Sequence, residues 1–205
     1  MSKDSPQASW REIRRQNARA DLLAAAWDLV REGGLGALSL RELARRAGTT
    51  TPTVYAYFAS KNDIFDALFA EAAASFERTN ARPVIGESPD ERLVAHARRF
   101  AAFCTSDVPR YQLLFQHVIP GFTPSAEAFA PAIRGLDAAR RRLADAEISQ
   151  PRHLDLWTAL LTGLVDQQIS NDPDGDRWSR LIEEAVLMFV THCRDPARSR
   201  PIHPG

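Results

Sequence analysis

Residues 39–61 read Ser39-Leu40-Arg41-Glu42-Leu43-Ala44-Arg45-Arg46-Ala47-Gly48-Thr49-Thr50-Thr51-Pro52-Thr53-Val54-Tyr55-Ala56-Tyr57-Phe58-Ala59-Ser60-Lys61. Ser39 with Glu42 three residues on is a capping box, so a helix opens here and turns Leu40, Leu43, Ala44 and Ala47 to one face. Gly48 ends it. Thr51-Pro52 supplies an N-cap and a proline at the first position of a second, very short helix, whose Val54 and Phe58 face inward. Ser60-Lys61-Asn62-Asp63 caps the next. A turn this short, with small Ala44 where the helices meet, folds one steeply across the other, which is helix-turn-helix geometry.

Upstream, Leu22, Leu23, Ala26, Leu29 and Val30 share one face of a helix closed by Gly33-Gly34. Three short helices therefore occupy residues 19–58. Downstream, helical periodicity carries Ile64 to Phe76, breaks from Arg82-Pro83 to Gly86, and resumes behind the cap Ser88-Pro89-Asp90-Glu91 with Leu93, Ala97, Phe100, Phe103 and Cys104. Pro109 opens a stretch through Tyr111, Leu114 and Phe115, and Ile119 to Pro124 is a turn. The pattern returns from Ser125 to Glu147, where Pro131 must lie near an end or a kink. Leu154 to Ile169 and Trp178 to Cys193 complete about nine helices. No segment alternates with period two, so the fold class expected is all-α.

The 205 residues carry 26 Lys+Arg against 26 Asp+Glu, with 44% apolar and 25% charged residues, as in ordinary globular proteins. The zero net charge hides a dipole. Residues 1–61 hold 10 basic and 6 acidic groups (+4), and residues 62–205 hold the other 16 and 20 (−4). The first end is where an anionic partner belongs. Lys3 and Lys61 are the only lysines, which reads as composition bias and weakens any inference from arginine number alone. The longest charge-free apolar stretch, Leu156 to Val165, is about half a membrane span. With no apolar segment near the N-terminus, a cytoplasmic protein with no membrane partner is expected.

Cys104 and Cys193 make neither a disulfide framework nor a zinc site. The spacings of His96, Cys104 and His117 do not share a helix face. No metal or other cofactor is expected, and GxSxG, HExxH, P-loop and GxGxxG patterns are absent, so an enzyme is not expected. Two alternatives are a nucleoid-type structural DNA-binding protein, disfavoured by the acidic second part, and a helical small-molecule-binding enzyme without recognisable motif.

Thr49, Thr50, Thr51, Thr53, Tyr55 and Tyr57 present hydroxyls without long carboxylates, which suits phosphate and, for Thr, the thymine methyl. Ser39 and Lys61 stand at helix N-termini, where free amides favour anions. Arg41, Arg45 and Arg46 add charge. Arg11, Arg14, Arg15 and Arg19 read equally as an arm tracking a groove or as a solvated helix face.

Residues 19–68 resemble the DNA-binding domain of the tetracycline-repressor (TetR/AcrR) family of bacterial transcription regulators. The resemblance is carried by Leu22-Leu23-Ala24-Ala25-Ala26, Gly33-Gly34, Leu38 to Ala44, Ala47-Gly48 and, most specifically, the block ending in YxYFxSK at Lys61. Pro52 departs from the small residue usual there. The resemblance implies phosphate contacts by Tyr55, Tyr57 and Lys61 and base contacts by Thr49, Thr51 and Thr53. It implies a helix-turn-helix DNA-binding domain at 1–61 (motif core 19–58) and a larger effector-binding, dimerising helical domain at 62–194. A disordered tail is expected at 195–205. The function expected is a ligand-responsive regulator, a repressor, that binds a palindromic double-stranded DNA operator as a homodimer and is released by a small apolar or aromatic effector.

A recognition helix of about seven residues spans only roughly 10 Å, so specificity needs two half-sites about one helical turn (~34 Å) or more apart and hence a dimer. Leu160, Leu164 and Gln168, with Trp178, Ile182, Ala185 and Phe189, suit a four-helix interface like that of the family's last two helices; the competing reading is two core helices. Phe100, Phe103, Tyr111, Leu114, Phe115, His117, Phe129, Trp157 and Leu161 are the candidate effector pocket, with core packing the competing reading for each aromatic. Gln112, Gln116, His117, Gln167 and Gln168 are its polar candidates.

Overall fold

Nine α-helices build the described part of the chain, residues 6–195 of a computed structural model, and no strand is present among the described residues. They are α1 (Pro6–Gly33), α2 (Leu40–Arg46), α3 (Thr51–Tyr55), α4 (Lys61–Ala81), α5 (Pro89–Thr105), α6 (Val108–Phe115), α7 (Ala126–Asp145), α8 (Pro151–Asn171) and α9 (Ile182–Arg194). Short 3-10 segments lie at Leu35–Ala37 and Ser179–Leu181. The expected tail falls, apart from Asp195, outside the described residues.

Several boundaries differ from the periodicity. α1 extends four turns upstream of Leu22 although its residues from Trp10 to Ala20 are mostly exposed. Arg, Ala, Glu and Gln are good helix formers, and that overhang needs no buried face to stay helical. α7 runs unbroken through Pro131, its sixth residue, one turn further in than a helix start usually allows. Trp178 does not open α9; a 3-10 segment intervenes, and α9 begins at Ile182.

Two apolar cores result. The first gathers Leu22 to Val30 of α1, Leu43, Val54 and the first half of α4, with Leu113 and Ala128. The second gathers α5, α8 and α9 with Tyr111 and Leu143. α4 belongs to both: Ile64, Phe65 and Leu68 fill the first, while Phe76 stands edge-on to Phe100 and Phe115 in the second. Polar contacts fix its sides. Trp27 Nε1 donates to Glu71 at 2.9 Å, and the Ser125 amide and hydroxyl donate to the Asp66 carboxylate at 2.6 and 2.8 Å, docking the α7 cap on α4. No described helix is long and apolar enough to cross a membrane.

Candidate functional site

Ser39 Oγ accepts the Glu42 amide at 3.1 Å and starts α2, but the reciprocal half of the expected capping box is not made. The Glu42 carboxylate turns instead to Arg45, with Nε at 3.0 Å. Gly48 takes φ +62°, a left-handed conformation that spares a side chain, and the Thr49 amide closes the turn on the Ala44 carbonyl at 2.9 Å. The cap of α3 is Thr50, one residue before the expected Thr51; its hydroxyl accepts the Thr53 amide at 3.4 Å. Val54 is fully buried and pins α3 to α2.

With Val54 inward, α3 turns its other side to solvent. Thr50, Pro52, Thr53 and Tyr55 are exposed, and Thr49 and Thr51 are half-buried. Tyr57 packs partly against the first core. Lys61 is the first residue of α4, and its amine lies 5.3 Å from the centre of the Phe65 ring. Arg19 covers Phe58 at 4.9 Å, which brings α1 to the end of α3.

The cations of this surface divide into two groups. Arg45 pairs with Glu42 and Arg46 with Glu32, and these bonds hold both carboxyls below the usual carboxylate range. Arg41 and Lys61 have no carboxylate partner among the described residues. Exposed hydroxyls on α3, flanked by two cations without a carboxylate partner among the described residues, have the chemistry that suits an anion.

A cavity of about 140 Å³ lies among α4 to α8, walled by Phe76, Phe100, Leu114, Phe115, Trp157 and Leu161 and floored by the small residues Ala132, Gly135 and Ala139 of α7. Five of the nine expected pocket residues line it. The others have different work. Tyr111 is buried, its hydroxyl donating to Asp166 at 2.7 Å and joining α6 to α8; burial and that carboxylate push the phenol far above its usual pKa. Gln116 donates to the same carboxylate at 2.7 Å. Phe103 packs on Phe76 beneath Arg110. Phe129, half-exposed, stacks on Phe69 outside the cavity, and His117 sits on the exposed loop after α6.

A second cavity of about 50 Å³ shares Phe76, Phe100, Gly135, Ala139, Trp157 and Leu161 with the first and adds Asn80, Leu93, His96 and Arg142. Burial and the neighbouring Arg142 and Arg99 push the His96 imidazole down to about 4. The sequence carried one unused signal for this floor: Ala132, Gly135 and Ala139 form a small-residue stripe at helical spacing.

The residues expected at a dimer face separate into two sets. Leu160 and Ala185 border an exposed groove along α8 and α9, beside Leu156, Leu187 and Met188. Leu164 is half-buried against the second core, and Trp178 is half-buried in the loop before α9. Ile182 and Phe189 point into that core, Phe189 lying on Trp157. Gln168 is buried and holds the α8–α9 loop: its carbonyl accepts the Trp178 and Ser179 amides at 2.9 Å each, and its amide donates to the Gly175 carbonyl at 3.1 Å. The apolar period of α9 is thus its core face, and the outward strip is the adjacent Leu187-Met188.

The model of the family described as bacterial regulatory proteins, tetR family, matches residues 22–68, from the buried face of α1 to the first turns of α4. The chain is similar to the tetracycline repressor protein class A from transposon 1721 of Escherichia coli, with 29% identity over 172 residues, 81% of this chain and 74% of that protein. A protein of unknown function from Rhodococcus sp. RHA1 shares the fold with a TM-score of 0.74 at 21% identity, over 87% of this chain and 96% of that chain. A TetR variant from Acinetobacter baumannii AYE, in complex with minocycline, is 26% identical with a TM-score of 0.57, over 83% of this chain and 92% of that chain.

Proposed function

Since this chain belongs to the TetR/AcrR family of transcriptional regulators, we propose that it is a repressor that binds a palindromic DNA operator as a homodimer and lets go when a small apolar or aromatic effector fills the cavity beside α4. The observation that carries this reading is the exposed hydroxyl face of α3 bounded by Arg41 and Lys61, cations without a carboxylate partner among the described residues. In this reading Tyr55, Tyr57, Ser39, Arg41 and Lys61 hold phosphates, and Thr49, Thr50, Thr51 and Thr53 stand nearest the base edges.

Residues 1–61 act as the DNA-reading head and 62–194 as the effector-binding, dimerising body, with α4 as the lever they share. The effector acts only through binding one spacing of the two heads better than the other. Leu156, Leu160, Ala185 and Met188 are the proposed partner contacts. The minocycline bound to the Acinetobacter protein supports the ligand-responsive part.

The test is an electrophoretic shift on the DNA upstream of the chain's own gene. The wild-type chain shifts it, and Tyr55→Phe combined with Lys61→Ala weakens the shift at least about tenfold by removing charged and neutral phosphate bonds. Undiminished binding by the double variant would refute the phosphate assignment.

A further inference from the structure

We infer that the effector is a monocyclic carboxylate, or an anion of that size and shape, whose ring fills the aromatic cavity and whose carboxylate meets Arg142 and His96. This rests on the proposal that the cavity is the effector site, and it adds a charge to a ligand otherwise described only as apolar or aromatic.

Three helices change character at the same end of the cavity. On α7, Gly135 and Ala139 lie under the ring space and Arg142 follows one turn on. On α5, Phe100 lines the ring space and His96 lies one turn back, while on α4 Phe76 gives way to Asn80. Residues three or four apart share a helix face, so each wall runs from apolar to polar towards one point.

That point is basic. His96 Nδ1 is buried with no hydrogen-bond partner. Arg142 gives one donor to the Asn80 carbonyl at 2.6 Å, and its other N–H groups bond nothing among the described residues. Arg99 is engaged by the backbone at the end of α4, including the Pro83 carbonyl at 2.9 Å. No carboxylate bonds any of the three among the described residues; burial first, and then repulsion from neighbouring arginines, lowers the pKa of both His96 and Arg142. An anion relieves that repulsion and satisfies the open donors, and the planar fork of Arg142 matches a carboxylate.

Size and access select the rest of the ligand. An apolar cavity of about 150 Å³ holds one benzene ring, and the aromatic compartment here is about 140 Å³. Arg142, Asn80 and Gly135 also border the open cleft between α4 and α7, so the charged end lies at the mouth and the ring enters first.

Calorimetric titration of the full chain with 3-phenylpropionate, its uncharged amide and 3-phenylpropylamine tests this. The acid is expected to bind at least about tenfold more tightly than the amide, and the amine most weakly. Arg142→Gln should abolish the preference for acid over amide, whereas Arg142→Lys, which keeps the charge, should retain part of it and guards against a folding defect. Equal binding of acid and amide, or a preference that survives Arg142→Gln, would overturn the inference and leave the effector cavity standing. Binding of none of the three would overturn the effector cavity as well.

Discussion

Arg31, in the last turn of α1, donates through Nε to the carboxylate of Asp107 at 3.1 Å, and the same carboxylate caps α6 by accepting the Arg110 amide at 3.1 Å. Arg31 and Arg110 each lie 5.5 Å from the Trp27 ring, whose N–H reaches Glu71 on α4. One acidic side chain thus ties the helix that supports the helix-turn-helix to the helix that presents Leu114 and Phe115 to the cavity. Packing, not only chain connectivity, joins the two ends of the molecule.

Asp107→Ala should destabilise the chain by about 1–2 kcal/mol, the usual loss of a side-chain N-cap, since the partly exposed ion pair adds little. Asp107→Ser keeps a cap and should recover most of that stability in denaturant titration. If the bridge to Arg31 couples the two ends, Asp107→Ser still blunts the effect of a cavity ligand on DNA affinity.

Gly135 is helical, and a methyl group added there meets the Phe76 ring at 3.5 Å, an ordinary contact. Gly135→Ala should therefore stabilise α7 by about 0.5–1 kcal/mol while narrowing the cavity floor. Thermal melting should rise as affinity for a cavity ligand falls, a combination that a general packing defect does not produce.

Stability should also fall on acidification before the carboxylates titrate. The folded chain holds His96 neutral down to about 4, whereas the unfolded imidazole takes up its proton near its ordinary value of 6.5. The unfolded state binds more protons between those values, so stability is complete above the upper one and is lost as pH falls through the window. Allowing for solvent near the half-buried ring, the loss is about 1 kcal/mol by roughly pH 5. His96→Gln should flatten this part of the pH profile; a residual slope is expected from His153, whose buried ring is depressed in the same direction.

Met188 is 64% exposed on the groove between α8 and α9. Met188→Glu places a charge on that strip without disturbing the core of the protomer. Sedimentation velocity should show a dimer for the wild-type chain and a shift towards monomer for the variant, with little change in monomer stability. A wild-type monomer at micromolar concentration would remove the proposed interface.

The helix-turn-helix was legible because each of its parts is local: Gly48 in the left-handed turn, Val54 one turn into α3, Ser39 and Ser60 as caps. The cavity was half legible. Phe100, Leu114, Phe115, Trp157 and Leu161 stand out as large apolar residues, but whether an aromatic faces a cavity or a neighbour depends on packing that periodicity does not carry, as Tyr111 and Phe129 show. His96 and Arg142 acquire meaning only from each other, across two helices 46 residues apart in sequence. Gln168 lies in an apolar helical pattern like an interface residue, yet its side-chain carbonyl fastens a loop of its own chain by accepting the Trp178 and Ser179 amides. The α1 overhang had no apolar period to announce it.

The most direct test is a fluorescence-anisotropy titration of a labelled duplex from upstream of the chain's own gene against a scrambled duplex of equal length, at physiological salt. Dimeric, operator-specific contacts should give saturation at an even number of chains per duplex and at least about a thousandfold preference over the scrambled sequence. Equal affinity for the two duplexes, or saturation by a single chain, would contradict the account.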